Sequence, residues 1–153
     1  MTVYASWVVR ITVETEIAAP PDVVWADIQQ ISSHVEWMSD ADTITFTSEQ
    51  TQGVGATFDC VTKIGPIRLN DKMEITEWVE AETLGVRHKG LVSGEGQFTL
   101  SATDGDTTRF QWSEILQFPW WLGAGLGERI GKPILERIWQ KNLQLLQSRF
   151  EPR

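Results

Sequence analysis

The hydrophobic period of this chain changes once, and that change restricts its possible folds more than any other feature. From Phe58 to Leu116 apolar side chains recur at every second residue, the repeat of strands with one buried face. After Phe118-Pro119 they recur every three or four residues as far as Phe150, the repeat of a helix. A series of short-turn strands forms an antiparallel sheet with one face to bury. The helix has a wide apolar face, and the concave side of the sheet is the surface that can cover it.

The strands read individually. Phe58, Cys60, Thr62 and Ile64 alternate with polar neighbours, and Gly65-Pro66 turns the chain. Ile67, Leu69, Asp71, Met73 and Ile75 share one face of a long strand, which ends at Glu80-Ala81-Glu82. Leu84, Val86 and His88 continue inward to a turn near Leu91 to Ser93. Gly94, Gly96, Phe98 and Leu100 precede Asp104-Gly105, a strong hairpin signal. Phe110, Trp112, Glu114 and Leu116 close the series. Upstream, Val9, Ile11, Val13, Thr15 and Ile17 make a first half-buried strand. Ala19-Pro20-Pro21-Asp22 then opens a helix with proline in its first turn, carrying Val24, Ile28 and Ile31 at helical spacing. A second short helix or turn spans His34 to Met38, with His34 at the surface. Ile44 and Phe46 share a face of the next strand. In the last segment Ile130, Ile134 and Ile138 form one stripe, and Leu135, Trp139, Leu143, Leu146 and Phe150 another. Pro133 should kink this helix or mark a break near Arg129. The expected class is α+β: a curved antiparallel sheet of about seven strands around a long C-terminal helix, with two short helices between strands 1 and 2.

The bulk numbers exclude several functions. A length of 153 residues suits a single domain over 1–153. The net charge is −8 and no run of lysine and arginine occurs, so no nucleic-acid partner is expected. An anionic membrane would repel this charge on average. No stretch nears the roughly 18 apolar residues of a membrane span, so no stable membrane insertion is expected. Met1 to Val9 lacks the pattern of a signal peptide, and Cys60 is the only cysteine, which suits a cytoplasmic protein. One cysteine and scattered histidines make no metal set. Gly94-x-Gly96 lies in a strand, and Gly123-x-Gly125-x-Gly127 lacks the lysine of a phosphate loop, so no cofactor is expected.

The stretch Ile17-Ala18-Ala19-Pro20-Pro21-Asp22-Val23-Val24-Trp25, with Trp37 and the strand series ending in one long helix, resembles the START-like (SRPBCC) superfamily. Within it, the chain looks most like the bacterial polyketide cyclase/dehydrase and lipid-transport group. The resemblance covers nearly the whole chain. It implies a helix-grip fold with a cavity between sheet and helix. It implies hydrophobic ligands such as lipids, polyketides, sterols or quinones. It does not imply one reaction, because members include carriers, aromatase/cyclases, chaperone activators and sensors.

Register places chemistry on the concave face. Pairing Phe98 with Trp112 and Leu100 with Phe110 puts Gly96 opposite Glu114. Centring the previous hairpin near Val92 puts His88 opposite Gly96, and the hairpin before that puts Met73 opposite His88. His88 and Glu114 then flank a bare glycine with backbones about 10 Å apart, close enough for their side chains to meet. Asp71 lies diagonal to His88 on the same face. Such a trio either orients a ligand and satisfies its own polar groups, or transfers protons as general acid and base.

Turn composition adds a second signal. One end of the sheet collects the polar turns Thr51 to Gly55, Glu80 to Glu82 and Thr103 to Asp106. The other collects Ile64-Gly65-Pro66-Ile67, Gly90-Leu91-Val92 and Phe118 to Gly123, which are apolar. Apolar tips suit a cavity mouth with Trp120 and Trp121 as a lid; the alternatives are tips packed on one another or a homodimer contact.

The expected function is binding or transport of a small hydrophobic molecule. The sheet residues expected to touch it are Phe46, Phe58, Leu69, Met73, Val86, Phe98 and Trp112. From the helix, Ile130, Ile134 and Ile138 are expected to join them. An alternative is a polyketide cyclase/dehydratase-type enzyme using His88 with Glu114 or Asp71. A further alternative is a protein-interaction module of the chaperone-activator type.

Overall fold

The structure, a computed structural model, describes residues 7–119 and 127–152. Strand β1 (Trp7–Ile17) leads into helix α1 (Pro21–Ile28) and a 3₁₀ segment (Ile31–Glu36). Six strands follow: β2 (Ala41–Phe46), β3 (Thr57–Ile64), β4 (Ile67–Val79), β5 (Thr83–Lys89), β6 (Ser93–Thr103) and β7 (Thr107–Phe118). A π-helical turn (Gly127–Gly131) precedes the C-terminal helix α2 (Lys132–Ser148). The strands form one antiparallel sheet in the order β1-β7-β6-β5-β4-β3-β2. This is the expected α+β helix-grip architecture, with the curved sheet holding α2. No helix among the described residues is long and apolar enough to cross a membrane.

Local chemistry explains the element ends. Pro21 stands in the first turn of α1, where its missing N–H costs nothing, and Val24, Trp25 and Ile28 are the buried face. Pro133 holds the same place in α2, and the π-helical turn lies just before it, so the proline marks the break that its position predicted. In the β6–β7 hairpin, Thr103 pairs with Thr107 around the loop Asp104-Gly105-Asp106, in which Gly105 and Asp106 take positive φ.

Register agrees with the sequence in two hairpins and departs from it in a third. Phe98 pairs with Trp112, Leu100 with Phe110, Gly96 with Glu114, and Met73 with His88. His88, however, pairs with Gly94 rather than Gly96, whose partner is Val86. The β5–β6 turn is thus centred on Leu91, one residue earlier than expected. Moving the centre by one residue shifts the pairing by two, so every side chain keeps its face.

Helix α2 is held at both edges of its buried stripe. Leu143 and Leu146 are fully buried, and Trp139 stacks on Trp112 of β7 with centroids 4.6 Å apart. At its C-terminal end, Arg149 makes two 2.8 Å bonds to Asp27 of α1 and a third to Glu36 of the 3₁₀ segment.

Candidate functional site

On the concave face of the sheet lie two adjoining spaces, one under the 3₁₀ segment and one under α2. The first, about 60 Å³, is lined by Ile31, His34, Ile44, Phe58, Val86 and Phe98 among others. The second, about 160 Å³, is lined by Ile64, Leu69, Asp71, His88, Val92, Phe118, Leu135 and Trp139 among others. Met38, Ala41, Cys60, Met73, Trp112 and Glu114 border both. Aromatic rings fill much of the interior: Phe98 lies 5.4 Å from Trp112 and 5.9 Å from Trp37.

The polar groups on this apolar wall meet at one place. His88 Nε2 donates to Glu114 Oε2 at 3.2 Å, and Trp112 Nε1 donates to Glu114 Oε1 at 3.0 Å. Both partners of the ion pair are nearly buried, at 7% and 12% side-chain exposure. Gly96 makes room for the carboxylate. A Cβ there would stand 2.8 Å from Glu114 Oε1, too close for real atoms. Gly90 plays the same part for Asp71, whose Oδ1 lies against the position its Cβ would take. That oxygen is buried and has no hydrogen-bond partner among the described residues.

Burial pushes His88 toward the neutral form, but the Glu114 hydrogen bond and charge, the Asp71 charge and the Val92 backbone outweigh it. Its pKa is therefore raised above the usual histidine value. Burial also raises the pKa of Asp71; the His88 charge opposes that shift and Glu114 reinforces it. The arrangement is a histidine with a raised pKa, bonded to one carboxylate and sharing a wall with a second whose pKa is also raised. It offers the Asp71 carboxyl group to a ligand hydroxyl or N–H, with His88 as a proton-carrying group on the same wall.

The remaining expected contact residues are distributed as follows. Phe58, Met73, Val86, Phe98 and Trp112 line the first space, and Leu69, Met73 and Trp112 line the second. Phe46 packs on Phe58 with centroids 5.8 Å apart and borders neither space. Ile138 packs at the edge of the core and also borders neither. Ile130 and Ile134 are exposed, contrary to the reading of them as cavity residues. The buried stripe of α2 runs through Leu135, Trp139, Asn142, Leu143 and Leu146. At about 100° per residue, Ile134 falls roughly 130° from the middle of that stripe. Trp120 and Trp121 lie outside the described residues.

Two polar residues near the cavity carry more structure than their sequence context suggested. His34 is buried rather than solvated. Its Nε2 donates to the Ile28 carbonyl at 2.7 Å, and burial lowers its pKa to about 4. Asn142 is fully buried in α2: its amide donates to Asp40 at 2.7 Å and its oxygen accepts from the Ser39 hydroxyl and backbone N–H. Asp40, which borders the second space, also accepts from Trp139 Nε1 at 3.3 Å. An asparagine on the apolar stripe between Trp139 and Leu143 was the sequence signal for this latch.

Comparison with known proteins agrees with the fold. A search of proteins with curated function returns no match. Among solved structures, the protein TTHA0849 from Thermus thermophilus superposes with TM-score 0.80 at 15% identity, covering 93% of this chain and 97% of that one. The ZhuI aromatase/cyclase from Streptomyces sp. R1128 gives TM-score 0.76 at 12% identity, with 94% and 93% covered. A START superfamily protein from Mycobacterium smegmatis gives 0.71 at 10%, with 92% and 96% covered. These identities speak for the fold alone. The sequence itself matches a family over residues 8–151, and the chain belongs to that family, described as polyketide cyclase / dehydrase and lipid transport.

Proposed function

We propose that this protein binds and carries a compact apolar molecule bearing one polar group, held between the sheet and α2. The observation that carries this reading is the unpartnered, buried Asp71 Oδ1 on the wall of an otherwise apolar space, beside His88 and Glu114. A buried polar atom without a partner is costly, and a ligand hydroxyl or N–H would satisfy it. Volume narrows the ligand class. A dry cavity of about 150 Å³ takes a benzene-sized molecule, and ligand pockets for drug-sized molecules span about 300–1,000 Å³. The larger space here, about 160 Å³, suits a single ring. A whole sterol would need Met38 and Met73, which border both spaces, to move aside.

Binding of one-ring probes tests this. Phenol should bind at least about tenfold more tightly than toluene, the increment of one hydrogen bond to a charged group. An Asp71→Leu variant should erase the difference. Equal affinity for phenol and toluene in the parent protein would refute the polar anchor. Native mass spectrometry before and after solvent extraction then identifies any ligand retained through purification.

A second reading, acid–base catalysis on a polyketide-like substrate, is supported by His88 standing between two carboxylates. A structural neighbour with TM-score 0.76 is an aromatase/cyclase. It predicts that His88→Gln abolishes turnover while leaving ligand affinity within about threefold.

A further inference from the structure

The charges of this chain are sorted by sheet end. Segments 48–55, 79–83 and 103–107 sit at one end; they carry Glu49, Glu80, Glu82, Asp104 and Asp106 and no lysine or arginine. Segments 63–68 and 89–93 sit at the other end. The start of the C-terminal helical segment, 127–132, lies beside them, because Leu135 shares the second space with Ile64, Val92 and Phe118. These three segments carry Lys63, Arg68, Lys89, Arg129 and Lys132 against one acidic residue, Glu128. Lys63 and Arg68 share one carboxylate, Asp42, at 3.5 and 3.0 Å, which leaves a positive surplus. Lys89 and Lys132 make no ion pair among the described residues.

The same end exposes apolar side chains among its cations. Ile67 is 56% exposed, Leu91 47%, Ile130 53% and Ile134 48%. They come from the β3–β4 turn, the β5–β6 turn and the start of the helical segment. The second internal space reaches this end, through Ile64, Val92 and Phe118.

We propose that this end docks peripherally on an anionic lipid surface. Scattered apolar tips interleaved with lysine and arginine match a headgroup layer over an acyl boundary. The net charge of −8 repels an anionic surface on average, but the acidic turns lie at the far end of the sheet. Strand β4 runs 13 residues, which at about 3.4 Å each separates the two ends by roughly 40 Å. Salt screens beyond about 8 Å, so the distant acids act mainly to orient the molecule, cationic end first. Docking there would let an apolar molecule pass between bilayer and interior without crossing water.

Co-sedimentation of the full chain with vesicles tests the proposal without any pocket ligand, so it stands or fails apart from the ligand reading. The protein should pellet with phosphatidylcholine–phosphatidylglycerol vesicles at about 7:3, not with phosphatidylcholine alone, and release as salt rises. Lys89→Gln with Lys132→Gln should weaken partitioning about twenty-five-fold, roughly fivefold per charge. Ile67→Ser with Leu91→Ser should weaken it as well. Glu80→Gln with Asp104→Asn, at the acidic end, should not. Circular dichroism confirms that each variant is folded. Equal binding to both vesicles, or binding indifferent to the lysine pair, overturns the proposal. So does no binding at low salt.

Discussion

Gly96→Ala reads the polar centre through one added methyl group. The new Cβ would meet Glu114 Oε1 at 2.8 Å, Cδ at 3.1 Å and Cγ at 3.2 Å, where ordinary contacts begin near 3.4 Å. The carboxylate must retreat by about half an ångström, and its 3.2 Å bond to His88 then exceeds hydrogen-bonding range. Losing one charge-assisted bond costs about 2 kcal/mol, and replacing glycine by alanine restores about 0.5–1 kcal/mol through the unfolded chain. The net loss is about 1–1.5 kcal/mol, or roughly 2–6 °C in Tm for a chain of this size. The sign with pH is fixed. His88 has a raised native pKa, so its pairing stabilises the fold fully below the unfolded value near 6.5 and fades as pH rises through the native value. Gly96→Ala should therefore cost more at pH 6 than at pH 9. Histidine NMR titration should show the His88 pKa falling, because burial remains while the Glu114 bond is lost. An unchanged His88 pKa, or a stability loss equal at both pH values, would refute the geometry.

Three further outcomes follow, two from buried polar groups and one from a surface ion-pair cluster. Asn142→Ala leaves Asp40 and Ser39 without their partner and should lower stability by about 4 kcal/mol, or roughly 8–16 °C, in thermal unfolding. His34, with a native pKa of about 4 against 6.5 unfolded, makes the protein lose up to about 3 kcal/mol as pH falls from 6.5 to 4. Denaturant titrations of His34→Gln should show that acid loss reduced. Arg149→Ala removes three bonds that tie the end of α2 to α1 and the 3₁₀ segment, and hydrogen exchange should speed up over the last turn of α2 first.

The sheet was legible because period and turn chemistry agree along it: Asp104-Gly105 sets the β6–β7 register, and Gly65-Pro66 divides β3 from β4. The β5–β6 turn was misplaced by one residue because Gly90-Leu91-Val92 contains no residue that selects one centre over the next. The error kept His88 inward, so the pairing of His88 with Glu114 was anticipated for nearly the right reason. Helix phase was harder. Ile130, Ile134 and Ile138 look like a stripe, but the stripe that packs is the one through Trp139 and Leu143, and it includes an asparagine that a hydrophobic pattern passes over. The burial of His34 is not legible because one histidine in a short turn carries no periodic signal; it is covered by Trp37 one turn on and by Phe98, which comes from β6.

The two latches on α2 also give the molecule a direction in which to breathe. Arg149 fastens the last turn and Asn142 the middle, while the first turns follow a π-helical segment and a proline. Any swing of the helix away from the sheet pivots about its C-terminal half, like a door hung on that side. Such a swing would widen the gap at the cationic end and keep the acidic one shut, so the ligand route proposed above would run through one doorway.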